Sequence, residues 1–96
     1  MMLHTVSGAT GLVGSHLVYS LLIEGKKVRA LHRASSDKSL LERIFSYYGD
    51  NLKHYQENLS WHEADLLDPV DVEEALDGTD IIFHTAAVVS FDPADR

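Results

Sequence analysis

The stretch Leu3-His4-Thr5-Val6-Ser7-Gly8-Ala9-Thr10-Gly11-Leu12-Val13-Gly14 runs from an apolar segment through evenly spaced glycines into a helical pattern. Beyond it, Val13, Leu17, Val18, Leu21 and Leu22 recur with helical periodicity, so the segment reads as strand, tight turn and helix. A helix that opens in such a turn presents N–H groups with no partner inside the helix. Its dipole adds about half a positive charge at the same end. That end is a place for an anion. Gly8 can adopt the positive φ of a tight turn. Gly11 lacks a Cβ, so a pyrophosphate can approach its backbone, and Gly14 lets the helix lie close to the neighbouring strand. The competing reading is a structural turn with no ligand.

Outward from this motif, the 96 residues alternate strand-like and helical runs. The first helix is expected over Leu12–Glu24, closed by Gly25 just past its end. A second strand follows at Lys27–His32. Ser36 or Asp37 is expected to cap a second helix with Leu40, Leu41, Ile44, Phe45 and Tyr48 on one face and Gly49 at its end. Residues Asp50–Asn58 read as a loop or an extension of that helix. Leu59–Ala64 is a third strand. Asp68 then caps a third helix with Pro69 in its first position, and Asp71, Glu73 and Glu74 suit the dipole of its early turns. Gly78 closes it, and Ile81–His84 is a fourth strand. This alternation predicts parallel βαβ units, and right-handed crossovers favour the strand order 3-2-1-4. The expected fold is α/β, the first half of a doubly wound parallel sheet in three α/β/α layers, with two helices on one face and one on the other.

Composition narrows the function. An apolar fraction of 45% suits an ordinary core, and no internal repeat or low-complexity run is present. The net charge is −7, from 15 acidic against 8 basic residues, which argues against nucleic acid or an anionic membrane as partner. No apolar run is long enough to span a bilayer, and the expected location is cytoplasmic. With no cysteine there is neither a disulfide nor a thiolate zinc site. His4, His16, His32, His54, His62 and His84 form no ligand pattern, so no metal is expected.

The spacing Gly-x-x-Gly-x-x-Gly, with Thr10 before the second glycine, resembles the extended branch of the short-chain dehydrogenase/reductase superfamily. That branch includes nucleotide-sugar epimerases and dehydratases, dihydroflavonol reductases and 3β-hydroxysteroid dehydrogenases. The resemblance covers nearly the whole chain and implies a Rossmann-type fold with an NAD(P) cofactor. It makes Gly8, Thr10, Gly11, Leu12, Val13 and Gly14 the contacts of the dinucleotide's pyrophosphate side. At the end of the second strand, where this fold meets the adenosine ribose, an acidic residue suits NAD and a basic one NADP. Arg33 stands there, so NADP is favoured and NAD stays open; otherwise Arg33 is a surface arginine at a strand end. In the family, an Asp after the third strand accepts from the adenine amino group and the next residue packs on the ring, which points to Asp65 and Leu66. The alternative is that Asp65, like Asp68, caps a helix. After the fourth strand the family has small residues where adenosine lies against backbone, matched by Ala86 and Ala87. His84 beside them reads as a satisfied structural residue before a site group.

Family chemistry also needs Tyr-x-x-x-Lys on a later helix. Tyr19, Tyr47, Tyr48 and Tyr55 are followed four residues on by Ile23, Asn51, Leu52 and Leu59, so no catalytic residue is assigned. The expectation is therefore a cofactor-binding N-terminal portion, residues 1–96, of a longer protein. That parent would use NADP or NAD to oxidise or reduce a small-molecule substrate at a secondary alcohol or ketone of nucleotide-sugar, steroid-like or flavonoid-like type. The portion alone is expected to be inactive. Its open fourth-strand edge invites pairing, including homo-oligomer formation. Two other readings stay open: a non-catalytic NADP-sensing protein with the same fold, and a flavodoxin-like or interaction module with no nucleotide.

Overall fold

The computed structural model describes residues 2–33 and 36–85. Along the chain it runs β1 (Leu3–Ser7), α1 (Leu12–Ile23), β2 (Lys27–His32) and α2 (Ser39–Tyr47). Two short 3-10 turns at Leu52–His54 and Gln56–Asn58 lead to β3 (Leu59–Glu63), α3 (Pro69–Leu76) and β4 (Ile81–His84). All four strands are parallel, in the order β3-β2-β1-β4, so the earliest strand lies inside the sheet.

Alternation along the strands separates two faces. Val6 of β1, with Val28 and Ala30 of β2, meets Val18 and Leu22 of α1 and Leu41, Ile44 and Phe45 of α2 in the main core. Leu31 points the other way, to Ala64 and to Ala75 of α3. Helix α1 packs on β1 and β2 and also on α2, so its apolar residues are not confined to one stripe. It ends in paired bonds, Gly25 N–H to the Leu22 carbonyl and Lys26 N–H to the Leu21 carbonyl, with Gly25 at φ +83°.

Helix α2 starts later than the expected caps. Lys38 occupies the cap position, with no side-chain cap bond. Asp37 instead accepts the Ser39 N–H at 2.9 Å in a turn of its own, and that bond holds its carboxyl below the usual range. A carboxylate can satisfy the donor two residues ahead without itself joining the helix, which is why the start shifted. Residues 50–58 form the two 3-10 turns, and there is no extension of α2.

On the second face a charged strand residue anchors α3. Arg29 donates to the carbonyls of Ala75 and Asp77, each at 2.7 Å, at the helix C-terminal end where a cation is favoured. The Thr5 and Thr79 hydroxyls share a bond of 2.7 Å below it. Asp68 caps α3 as expected, its carboxylate accepting the Val70 N–H at 2.9 Å.

Between α1 and α2 the Tyr19 ring stands edge-on to Phe45, at 4.8 Å between centroids, and stacks on Tyr48 at 4.9 Å. Its hydroxyl donates to Asp50 at 2.7 Å. That bond to a carboxylate, with burial of the ring, pushes the Tyr19 pKa from 10.0 up to about 12. Because the folded-state pKa is the higher one, this contribution to stability is complete below pH 10 and is lost as pH rises toward about 12. Tyr19→Phe should therefore lower the urea midpoint at neutral pH and lessen the fall in stability across that alkaline window. Curves for the two proteins that stay parallel throughout it would show the hydroxyl to be idle.

Candidate functional site

The C-terminal ends of β1, β2 and β3 open onto a cleft of about 830 Å³. Its floor is the turn from β1 into α1, and the turn is built from bonds to its own backbone. Gly8 has φ +66°, which a residue with a side chain adopts at a cost. Its carbonyl accepts the Gly11 N–H at 3.1 Å. Ala9 is fully buried and donates its N–H to the Leu31 carbonyl of β2 at 3.3 Å. Its own carbonyl accepts the Ser15 hydroxyl at 2.7 Å, and Ser15 is also fully buried. The turn is thus tied forward to α1 and sideways to β2.

The three motif glycines have different reasons. At Gly14 an added Cβ would stand 2.0 Å from the Gly8 carbonyl oxygen, so helix and turn meet only without a side chain. Gly11 is the α1 cap residue, with φ −80° and ψ 173°, an extended geometry open to any residue. A Cβ there would lie 3.4 Å from the Gly8 oxygen, an ordinary contact. Gly11 also supplies no side-chain cap. The N–H groups of Leu12, Val13 and Gly14 accordingly meet no acceptor among the described residues.

The side walls come from the neighbouring strands. Arg33 follows β2 and is tied to Ser36, whose N–H donates to the Arg33 carbonyl at 3.1 Å while its hydroxyl accepts the Arg33 N–H at 3.3 Å. The guanidinium is exposed and meets no acceptor among the described residues. Across the cleft stands Asp65. One carboxylate oxygen accepts the Leu67 N–H at 2.9 Å and shapes the turn into α3, and the other has no partner among the described residues. The turn is closed from the far side by Asp71, which accepts the Asp65 N–H at 2.9 Å. Leu66 is partly exposed on the same wall.

Gly8, Thr10, Gly11, Leu12, Val13, Gly14, Arg33, Asp65 and Leu66, distant in sequence, therefore line one cleft. Ala86 and Ala87 lie outside the described residues. Ser36, one of the small hydroxyl residues beside Arg33 that could add donors, lines it too, as do Glu63, Asp71 and Thr85, which were not singled out as contacts. Ser15, behind the turn, was missed as well; a small hydroxyl directly after the third glycine was its only signal. Glu63 had none, because a charged residue ending a strand reads as solvated surface. His84 places Nδ1 2.8 Å from the Ser7 hydroxyl, bridging the ends of β4 and β1, consistent with a structural role. The described residues contain no group of three or more His, Cys, Asp or Glu able to hold a metal, and no helix long and apolar enough to cross a membrane.

The family model for the NAD dependent epimerase/dehydratase family matches residues 4–96. Sterol demethylase protein B of Methylococcus capsulatus is 38% identical over 93 residues, 95% of this chain and 24% of that protein. Cinnamoyl-CoA reductase 1 of Oryza sativa subsp. japonica is 38% identical over 88 residues, 92% of this chain and 24% of that one. The crystal structure of vestitone reductase from alfalfa, Medicago sativa, superposes with a TM-score of 0.67 at 33% identity, over 88% of this chain and 24% of its own. The chain thus spans 24% of the length of each of these relatives. The shared architecture is the first half of a Rossmann-type doubly wound sheet. With the glycine turn, the sheet order and a family match over residues 4–96 in agreement, the chain belongs to the NAD-dependent epimerase/dehydratase family.

Proposed function

We propose that this chain holds the adenosine and pyrophosphate side of NADP or NAD for an oxidoreductase or epimerase acting at a secondary alcohol or ketone. The observation that carries the reading is Gly11. Backbone conformation accounts for Gly8 and packing for Gly14, but nothing in the fold asks for a glycine at 11. The space a side chain would take there belongs to the cleft, beside three N–H groups that meet no acceptor among the described residues. A pyrophosphate supplies those acceptors and needs that space.

The other walls suit the rest of the molecule. Arg33 would pair with a 2′-phosphate, which favours NADP, and the second oxygen of Asp65 would accept from the adenine amine with Leu66 against the ring. Thr10, Leu12 and Val13 complete the loop side, and Ala86 and Ala87 would continue it where adenosine lies on backbone. The bound nicotinamide would give or take a hydride. No tyrosine of this chain has a lysine four residues on, so the proton donor and the substrate-binding part are assigned to sequence beyond it. The relatives named as cinnamoyl-CoA and vestitone reductases support a reductase role for the whole protein; its substrate is proposed to be of nucleotide-sugar, steroid-like or flavonoid-like type.

Quenching of Trp61, the only tryptophan, offers a binding assay. Gly11→Val should cost about 1 kcal/mol of stability, as for a poor helix cap, while weakening either dinucleotide by far more than tenfold. Affinity close to that of the unaltered protein would make the loop purely structural. Arg33→Ala should weaken NADP relative to NAD by about 1–3 kcal/mol, the value of a charged hydrogen bond. Equal effects on the two cofactors would make Arg33 a bystander. Residues 1–96 on their own should show no turnover, and measured oxidoreductase activity from them would refute the assignment of chemistry to sequence beyond this chain.

A further inference from the structure

Resting on that dinucleotide reading, we infer that Glu63 is a second determinant of cofactor choice, opposing Arg33. In the β2–β3 ladder, His32 is the register partner of Glu63, and the Ala64 N–H donates to the His32 carbonyl at 2.9 Å. Glu63 and the residue after His32 therefore stand at adjacent strand ends. Both Glu63 and Arg33 line the cleft. The Arg33 backbone is fixed by Ser36 and by His32, whose Nδ1–H donates to the Arg33 carbonyl at 2.8 Å. The origin of the guanidinium is thus set beside β3.

Three carboxylates line the cleft, and Glu63 differs from the other two. Asp65 and Asp71 each give an oxygen to a backbone N–H of the turn into α3. The Glu63 side chain is exposed and makes no hydrogen bond among the described residues, so its charge is not spent on the fold. A carboxylate beside the ribose accepts from the neutral 2′-hydroxyl of NAD. It repels a 2′-phosphate, which carries about −1.5 to −2 at neutral pH. Arg33 and Glu63 therefore pull in opposite directions at one ribose position. The result is a protein that takes both cofactors, with a preference for NADP smaller than Arg33 alone would confer.

The test measures dissociation constants of the full chain for NADP(H) and NAD(H) in the unaltered protein, Glu63→Gln and Glu63→Lys. Removing one charge several ångströms from a phosphate in a solvated cleft should raise the preference for NADP about five- to tenfold, and Glu63→Lys should raise it further. The gain should shrink at about 0.5 M salt, where the screening length falls to a few ångströms. Thermal midpoints should stay unchanged, because Glu63 bonds to nothing in the described fold. A preference that stays within about twofold across the series, or rises without salt dependence, overturns the inference while leaving the dinucleotide site intact. Failure of the unaltered protein to bind either dinucleotide refutes the site itself and this inference with it.

Discussion

The contact between Gly14 and the carbonyl of Gly8 is the constraint on which the remaining architecture rests. A single methyl at position 14 would stand 2.0 Å from that oxygen, so the first turn of α1 meets the end of β1 with nothing between them. Once the two are joined, Ser15 reaches the Ala9 carbonyl and Ala9 reaches the Leu31 carbonyl of β2. The direction of α1 across the first two strands follows. So does the seat of α2, which packs on α1 through Tyr19 and Phe45. The same close approach sets the N-terminus of α1 at the cleft, where the Leu12, Val13 and Gly14 N–H groups meet no acceptor among the described residues, so packing and the candidate site draw on one contact.

The opposite face is stabilised by different means. Its apolar cluster is small, Leu31, Ala64 and Ala75, and α3 is fastened largely by polar ties. Arg29 satisfies the carbonyls at the end of the helix, and Asp80 accepts the Leu3 N–H at 2.7 Å while donating its own N–H to the Leu3 carbonyl at 3.0 Å. A guanidinium on the inner side of a strand would be costly without acceptors; here two carbonyls and the negative end of the helix dipole provide them. These ties set where the turn from β3 into α3 lies, and hence the wall that carries Glu63, Asp65 and Leu66.

Charge is divided along the same line. From Glu63 to Asp80 the chain has eight acidic residues and no lysine or arginine, whereas its basic residues other than Arg96 fall between Lys26 and Lys53. The cleft inherits this polarity, its lining combining the α1 N-terminus and Arg33 with Glu63, Asp65 and Asp71. Such a site suits a ligand with an anionic middle and a donor-rich end. A pyrophosphate joined to a ribose and an aminopurine has that distribution.

The sequence by itself determined the elements and their order. Leu3–Ser7, Lys27–His32 and Ile81–His84 are strands over those same residues, because short apolar runs between glycine-ended helical patterns leave little choice of type or boundary. The glycine spacing, read in that context, also placed the turn and the lining of its cleft. The start of α2 differs from the expectation because a capping side chain one residue early is indistinguishable, in sequence, from one at the cap. Only the tertiary structure decided that Gly11, unlike Gly8 and Gly14, has no conformational or packing reason to be glycine, since that requires knowing what a side chain would meet. Likewise, only the register of β2 on β3 brings Glu63, thirty residues away from Arg33, to the adjacent strand end. Local periodicity reports what a segment becomes; pairing between segments distant in the chain decides which charges share a wall.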